Sequence, residues 1–418
     1  MISFIHTADL HFGVENYGRI DQKTGIHSRL LDFENAFNIC VDYAISQKVD
    51  FFLICGDVYK TAYPSPTQQD IFTKALLRIY QAGIPVVIIV GNHDIPLSFG
   101  KTHALSIFAQ LPLENIHVLA KPQTITIQTK SGPVAIVAIP WPSKSNLALA
   151  RTTNSGSEIT DQIGAHISSI ITHFEQKLDP ALPAVLAAHL SVSEGLYSGS
   201  EKTALFGSDP IVLPSALALE KFDYIALGHL HRYQVVPASK PIIYPGSIER
   251  IDFGERAEEK GFCHVTIQQD STADTTRTTN HTFIRVPTRR FVQIEILLQA
   301  QSLDQTQYCI SEIERYDIQD AIVKIVYTVP VDTKDRVDKI IIEKACTNAW
   351  YLVGIFPKYL QEPKKRRFAN INALLEPREL ITEYIKHTYQ QQPLQDNVLA
   401  KFAALAEEVR SEQEVAQK

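Results

Sequence analysis

The sequence predicts a layered α/β fold. Short apolar runs that favour strands alternate with amphipathic stretches that favour helices through the first hundred residues, and such alternation is typical of α/β domains. Further strand-like runs follow as far as residue 244, separated by polar loops. The chain has 418 residues, 45% of them hydrophobic, so it is long enough for two or three domains with cores of their own.

The elements of the first domain follow from periodicity and capping. A β-rich run at 2–5 precedes a helix whose apolar residues from Leu30 to Ala44 recur at i, i+3 and i+4. Ser65 and Pro66 supply the cap and first-turn proline of a second helix. Further strands are predicted at 51–54, 86–90, 134–139, 184–188, 224–227 and 242–244, loops at 143–160 and 191–209, and a hairpin tip or linker at 268–282.

A second α/β pattern begins near Phe291. It has predicted strands at 292–298, 321–329 and 352–356, with helical segments at 309–313 and 337–345. A basic segment follows, and the tail carries two amphipathic helical patterns split at Pro393. We therefore expect a domain at 1–282, a small α/β domain at 283–362, a basic linker at 363–375 and a helical pair at 376–418. Two isolated helices bury their apolar stripes poorly, so the pair is expected to pack on the body or on a partner.

Composition limits the classes of function. With a net charge of −6, the chain would have to bind nucleic acid through local basic patches, partner subunits or bound cations. Its five cysteines form no CxxC pair, which favours buried thiols in a reducing compartment over a disulfide framework. The start lacks a leader pattern, and no apolar run approaches the ~20 residues of a membrane helix. We predict a cytoplasmic protein that does not enter a membrane.

Polar clusters follow several of the predicted strands. Active sites of α/β sheets form beyond the carboxyl ends of the strands, so these clusters are expected to meet. Their carboxylate, amide and imidazole groups, without cysteine, suit Mn, Fe or Zn. The clusters are Asp9-Leu10-His11, Gly56-Asp57, Gly91-Asn92-His93-Asp94 and Gly228-His229-Leu230-His231, together with the single His189.

We predict a two-metal centre that hydrolyses phosphoesters. The spacing of two in Asp9/His11 and His229/His231 would place both side chains on one side of an extended backbone, and Asp57 is the candidate bridge. Paired metals about 3.5–4 Å apart hold the attacking and leaving oxygens of a phosphoryl displacement and activate a water. His93 is the candidate for orienting the phosphate or protonating the leaving oxygen. The predicted ligands are Asp9, His11, Asp57, Asn92, His189, His229 and His231.

Each cluster alone has a structural alternative. Asp-x-His occurs by chance, and both Gly-Asp and Gly-Asn-His-Asp are typical of turns. A lone histidine such as His189 is more often a satisfied core residue. The occurrence of all the clusters in one order, each at a strand end, favours the metal centre.

The ordered set DxH, GD, GNHD, H and GHxH resembles the calcineurin-like metallophosphoesterase superfamily. That resemblance implies a β-sandwich flanked by helices, with a small α/β capping domain and a C-terminal helical tail. The segments HTADLHFG, ICGDVY, VGNHDIP, ALGHLHR and YPGSIERIDFGE resemble one branch, the SbcD family of nuclease subunits of bacterial SbcCD complexes. This branch is the counterpart of the eukaryotic and archaeal double-strand-break repair nuclease, and the likeness covers essentially the whole chain.

The resemblance implies two divalent metal ions, Mn²⁺ first, with Mg²⁺, Fe²⁺ or Zn²⁺ as alternatives. His93 would be the catalytic histidine. One metal would be held by Asp9, His11, Asp57 and His231, and the other by Asp57, Asn92, His189 and His229.

The resemblance also implies an activity and partners. The activity would be 3′-to-5′ exonuclease action on double-stranded DNA and endonuclease action on single-stranded or hairpin DNA, in DNA repair, recombination and replication. The partners would be DNA, an SbcC-type ABC ATPase bound by the tail helices, and a second nuclease subunit within a heterotetramer. Such a complex would be associated with the nucleoid.

Some features stay open. Lys60 stands where archaeal relatives often have a second histidine; Lys60 and Arg250 are weak candidates for DNA contact, and a solvated lysine is the alternative for Lys60. The basic run at 364–367 is either a DNA-backbone contact or a solvated linker. The alternative functions are a small-molecule metallophosphatase or cyclic-nucleotide phosphodiesterase, which would not need the C-terminal half, and a non-catalytic scaffold, against which the filled ligand positions argue.

Overall fold

The computed structural model describes residues 1–96, 101–142, 156–199, 209–269, 277–299, 304–331, 333–360 and 396–405. The chain forms two compact units. The first holds residues 1–296, 306–326 and 337–356, and the second holds 297–305, 327–336 and the chain from 357 onward, so far as these are described. Every predicted site residue lies in the first unit.

The helices and strands follow in chain order. They are β1 (Ile2–Thr7), α1 (Ser28–Gln47), β2 (Phe51–Cys55), α2 (Pro66–Gln81), β3 (Val86–Ile89), α3 (Ser106–Gln110), β4 (Ile116–Leu119), β5 (Gln123–Thr129), β6 (Gly132–Ile139), α4 (Gly156–Gln176), β7 (Ala184–His189), β8 (Ser191–Val192), β9 (Ile211–Val212), α5 (Pro214–Leu217), β10 (Tyr224–Gly228), β11 (Gln234–Val236), β12 (Ile242–Tyr244), β13 (Gly261–Gln269), β14 (Arg277–Arg285), β15 (Phe291–Leu297), α6 (Gln305–Ile313), β16 (Ile322–Val329), α7 (Lys339–Ala345) and β17 (Tyr351–Tyr359). A short 3₁₀ helix, Phe253–Glu255, precedes β13.

Two six-stranded sheets form the body. The first has the order β14-β13-β1-β2-β3-β4, and the second has the order β11-β12-β10-β7-β6-β5. In the first sheet β1 to β4 are parallel, and in the second β6, β7, β10 and β12 are parallel. The carboxyl ends of the parallel strands of each sheet therefore lie at one edge, where a site can form.

The two sheets pack face to face and share one apolar core. In β2, Phe51 and Leu53 point into this core, whereas Phe52 and Ile54 point into a second core under α1 and α2. A third core lies between the second sheet and α4. Strands buried on both faces need continuous apolar runs, which the sequence provides. The predicted β-sandwich flanked by helices is confirmed.

Capping sets the start of the second helix. Ser65 accepts a hydrogen bond from the backbone of Gln68, the Gln68 side chain returns one to Ser65, and Pro66 occupies the first turn. This capping box satisfies two donors that a helix start leaves unpaired, as the sequence predicts. The predicted loop at 143–160 is partly wrong, because α4 begins at Gly156. Its apolar repeat, Ile163, Ile167 and Ile171, begins only beyond a polar first turn.

The small α/β domain forms as predicted, with a three-stranded sheet of order β15-β16-β17. Phe253, Phe291 and Ile322 share a small core. The predicted boundary at 282/283 falls within β14, and the division into domains stays a prediction. In the tail, residues 396–405 are helical, whereas the basic linker and the first tail helix lie outside the described residues. Within the described part of the chain, every helix is too short or too polar to cross a membrane.

Candidate metal centre

The predicted ligands meet where five strands end. Asp9 and Asp57 each stand two residues beyond a strand of the first sheet, and Asn92 stands three residues beyond β3. His189 is the last residue of β7 and His229 follows β10 directly. These strands run parallel within each sheet, so their ends converge at one edge of the sandwich. The sequence prediction of a shared strand-end site agrees with this placement.

The backbone at the ligands is left-handed rather than extended. Asp9, His11, Asp57 and His229 have φ values of 53°, 46°, 52° and 105°. The prediction that each spacing-of-two pair lies on extended backbone is therefore wrong. After β1 the chain turns sharply, and residues 9–12 are held against 56–58 by backbone bonds, including Asp9 N to Gly56 O at 3.1 Å. Such conformations cost about 1–3 kcal/mol each and persist where surrounding structure enforces them, commonly at functional sites.

Asp57 lies at the middle of the site. Its Oδ2 is 3.4 Å from His189 Nε2, 3.7 Å from His11 Nε2 and 4.0 Å from His93 Nε2. The backbone N–H of His93 donates to its other oxygen, Oδ1, at 2.9 Å. Its side chain is 1% exposed. One carboxylate thus faces imidazoles from both sheets, as a bridging ligand requires.

On one side of Asp57, Asp9, His11 and His231 present ligand atoms that lie within 4.8 Å of one another. The Nε2 atoms of His11 and His231 are 3.1 Å apart. The backbone N–H of His229 donates to both oxygens of Asp9, at 3.1 and 3.0 Å. This contact fixes the carboxylate that faces the two imidazoles.

On the other side, Asn92 joins two histidines of the second sheet. Its Oδ1 is 2.9 Å from His189 Nε2 and 3.2 Å from His229 Nδ1. Asp57 closes the group through His189. The indole ring of Trp141 lies 4.8 Å from the His229 ring, centroid to centroid, and covers it. Sequence reasoning assigned no role to Trp141.

The donors fit divalent cations. His189 Nδ1 lies 2.8 Å from the carbonyl oxygen of Cys55, and His93 Nδ1 lies 2.9 Å from that of Lys60. A carbonyl oxygen only accepts, so each Nδ1 carries a proton, and each ring in its neutral form turns an Nε2 lone pair toward the centre. At His189 this lone pair faces the Asn92 and Asp57 oxygens, which are also acceptors. Acceptors that converge in this way require a cation between them.

Electrostatics agree with cation binding. Burial raises the pKa of Asp9 to about 7. Burial would also raise the pKa of Asp57, but the surrounding imidazoles, His189 first, outweigh it and hold that pKa well below its usual value. Burial would lower the pKa of His189, yet Asp57 and Asp9 raise it to about 9. Protons on these groups compete with metal for the same positions.

Two glycines of the motifs stand where a side chain has no room. A Cβ at Gly91 would lie 2.1 Å from Asp57 Oδ1, and one at Gly228 would lie 1.8 Å from the carbonyl oxygen of Cys55. Both motifs therefore need glycine before the ligand because the backbone passes against the site or against the other sheet.

Sequence reasoning missed three acids that support the ligands. Glu255 lies 2.8 Å from His231 Nδ1, and Asp209 lies 3.1 Å from His229 Nε2. Asp94 accepts from the backbone of Gly91 at 3.0 Å and of Tyr59 at 3.1 Å, and so joins two site loops. The fourth position of the GNHD motif and the final glutamate of the IDFGE segment were available as signals, but their partners are distant in sequence.

The two weak candidates for DNA contact differ. Arg250 donates to Thr288 Oγ1, to the carbonyl oxygen of Arg289 and to that of Glu258, so its guanidinium is engaged within the protein. These contacts give no support to a role in DNA binding. Lys60 acts through its backbone, whose carbonyl accepts from His93 Nδ1.

Comparison with known proteins decides the family. The model of the calcineurin-like phosphoesterase family matches residues 2–233, more than half of the chain. The chain belongs to this family. The match contains every predicted ligand, and the chain is a metal-dependent phosphoester hydrolase.

Two curated relatives come from Bacillus subtilis (strain 168). The chain is 26% identical over 264 residues to SbcD, the nuclease of SbcCD, a match over 61% of this chain and 64% of that protein. It is 28% identical over 272 residues to the uncharacterized metallophosphoesterase YhaO, over 63% and 58%. The resemblance to SbcD-type proteins is thereby confirmed, and the matches span about three fifths of the relatives' lengths.

A solved structure is also similar. The dimetal phosphatase from Danio rerio superposes with a TM-score of 0.36 at 10% identity, covering 63% of this chain and 92% of that one. A likeness this weak does not inform the function.

Proposed function

We propose that this phosphoesterase is a Mn²⁺-dependent DNA nuclease that works with an SbcC-type ATPase. Its activities would be 3′-to-5′ exonuclease action on duplex ends and endonuclease action on single-stranded or hairpin DNA, in repair, recombination and replication. The similarity to the SbcD nuclease over 264 residues is the observation that carries the choice of DNA. The small sheet that begins at Phe291, beyond the phosphoesterase match, is a further feature that a minimal phosphatase does not need.

Within the proposed centre each ligand has a defined part. Asp9, His11, His231 and Asp57 would hold one divalent cation, and Asp57, Asn92, His189 and His229 the other. Bound cations would supply an activated hydroxide and neutralise charge on the phosphate. The remaining steps belong to the side chains and to the backbone that fixes them.

His93 is the proposed catalytic histidine. Its side chain is 35% exposed, whereas those of His11 and His189 are fully buried. The ring is held by Nδ1 on the Lys60 carbonyl, so Nε2 faces the open side of the site, 4.0 Å from Asp57. From there Nε2 can donate a hydrogen bond to a phosphate oxygen or pass a proton to the leaving oxygen. Asp94 keeps the His93 loop in register with the Asp57 loop.

The partners are proposed on the same similarity. The tail from 376, of which 396–405 are described as helical, would bind the ATPase, and two nuclease subunits would complete the complex. Deletion of 376–418 is expected to abolish co-purification with the ATPase and to spare Mn²⁺-dependent hydrolysis. Co-purification of the truncated chain would contradict this assignment of the tail.

A nuclease assay tests the function. Purified protein is incubated with Mn²⁺ and end-labelled duplex, hairpin or single-stranded DNA, and in parallel with p-nitrophenyl phosphate, bis(p-nitrophenyl) phosphate and cyclic nucleotides. We expect DNA cleavage that Asp57→Ala abolishes. His117→Asn, a histidine change on β4 outside the predicted ligand set, is the matched control and should cleave normally. Hydrolysis of the small substrates with all DNA intact would favour the alternative of a small-molecule phosphatase or phosphodiesterase.

A further inference from the structure

Glu255 is a buried carboxylate beside the metal centre. Its side chain is 0% exposed, and it stands at the end of the short 3₁₀ helix before β13. Oε1 lies 2.8 Å from His231 Nδ1. Oε2 accepts from the backbone N–H of Ile251 at 3.0 Å and lies 2.8 Å from the Lys260 ammonium. The two oxygens therefore face different groups, one toward the histidine and one toward donors of the scaffold.

Lys260 secures the same histidine a second time. Its side chain is 0% exposed, and its Nζ donates to the backbone carbonyl of His231 at 2.9 Å as well as contacting Glu255. The ring and the backbone of His231 are thus both held by one buried ion pair. Removing one partner from such a pair leaves an uncompensated buried charge, so the pair fixes the ring firmly.

This arrangement sets the tautomer of the ring. The donors on Oε2 keep Glu255 a carboxylate that accepts through Oε1, so His231 Nδ1 must carry the proton. The opposite nitrogen, Nε2, then presents its lone pair toward His11 Nε2, 3.1 Å away. Histidine ligands of metals commonly donate their second N–H to a carboxylate, which orients the ring and raises its basicity.

We propose that Glu255, held by Lys260, is the positioning residue that makes His231 a metal ligand and thereby governs the affinity of one of the two metal positions. That position is the one formed by Asp9, His11, Asp57 and His231. The position that uses His229 depends on a different acid, Asp209, whose side chain is 17% exposed. The inference rests on the proposed metal assignment and not on DNA as the substrate.

The substitution Glu255→Gln separates this role from simple packing. The amide has the shape of the carboxylate but only one oxygen, which the Lys260 and Ile251 donors will take. The NH₂ group then faces His231 Nδ1 and forces the proton onto Nε2, where it blocks metal binding. Loss of such a supporting contact typically weakens metal binding roughly tenfold to a hundredfold.

The experiment measures Mn²⁺ binding to the full chain by equilibrium dialysis with EPR detection of free Mn²⁺. We expect two sites in the wild type. In Glu255→Gln one site should weaken roughly tenfold to a hundredfold while the other keeps its affinity. Glu258→Gln is the matched control, because Glu258 also pairs with Lys260, at 3.0 Å, but does not hold the His231 ring; it should bind both ions normally. Unchanged binding in Glu255→Gln, or equal weakening of both sites, would overturn the proposal.

A second measurement needs no variant that might fail to fold. In ¹⁵N-histidine-labelled wild-type protein without metal, we expect His231, assigned by loss of its signals in His231→Gln, to carry its proton on Nδ1. A ring protonated on Nε2 alone contradicts the proposal even if Glu255→Gln does not fold. Absence of Mn²⁺ binding by the wild type would instead count against the proposed function, so the two failures are distinguishable.

Discussion

The two sheets contribute to the metal centre in different ways. The first sheet supplies Asp9, His11, Asp57 and Asn92 from loops that are tied to one another mainly by backbone hydrogen bonds, with three of the four residues in left-handed conformations. The second sheet supplies His189, His229 and His231. Each of these imidazoles is fixed through the nitrogen that faces away from the centre, by the Cys55 carbonyl, Asp209 and Glu255 respectively.

The difference follows from the chemistry of the ligands. A carboxylate offers two equivalent oxygens, so placing its backbone nearly suffices to place the ligand atom. An imidazole must also be held in one tautomer and one orientation. The half of the site made of oxygen donors therefore depends on backbone geometry, whereas the imidazole half depends on supporting acceptors.

The largest effect is expected at Asp57, the group that both halves share. Asp57→Ala removes the carboxylate that faces His189, His11 and His93. Several kcal/mol of charge stabilisation is lost with the metals, so the rate of bis(p-nitrophenyl) phosphate hydrolysis should fall roughly a thousandfold or more. Metal content by mass spectrometry should fall in parallel, and Asp21→Ala, in an exposed turn, should change neither. Two tightly bound ions in Asp57→Ala would rule out a bridging role.

His93 should affect the rate and not the metals. His93→Asn removes a group proposed to assist by proton donation or phosphate orientation, and such assistance is typically worth roughly 10²–10⁴-fold in kcat. Steady-state kinetics beside a Mn²⁺ titration would check this, with His117→Asn as the control. If His93→Asn loses a metal ion, His93 belongs among the ligands instead.

Gly228 tests the contact between the two halves. In Gly228→Ala the new methyl group meets the Cys55 carbonyl of the other sheet, and overpacking of this kind costs about 1–3 kcal/mol. The free energy of unfolding, measured by urea titration without metal, should decrease by that amount. Gly83→Ala supplies a comparison at a glycine with open space but positive φ. Unaltered stability in Gly228→Ala would mean that the sheets separate easily at this edge.

The smallest effect is expected at Asp209. Asp209→Ala removes the acceptor on His229 Nε2, but this carboxylate is partly exposed and water can replace it. Binding of the ion held by His229 should weaken by about tenfold, the lower end of the range for supporting residues, and by less than Glu255→Gln weakens the other ion. A Mn²⁺ titration of both variants makes the comparison directly. A stronger effect at Asp209 than at Glu255 would reverse the order of support proposed for the two ions.

Much of the site could be predicted from the amino-acid sequence. The alternation of strands and helices predicted the layers, and the rule that sites lie beyond strand ends predicted that Asp9, Asp57, Asn92, His189 and His229 would meet. The local geometry could not be predicted in the same way. Strand periodicity suggested an extended Asp9/His11 pair, but left-handed turns arise from backbone bonds to residues 56–58, which are distant in sequence.

The sequence by itself determined the ligand types, their order and the phosphoesterase chemistry, because metal preference follows from side-chain donors and those are local. Tertiary structure alone decided which nitrogen of each histidine faces the centre and which acids hold it there. Glu255 is adjacent to His231 only because the chain returns to the site before β13. Its ionised, hydrogen-bonded state depends on Lys260, which is buried beside it, and no sequence pattern contains that environment.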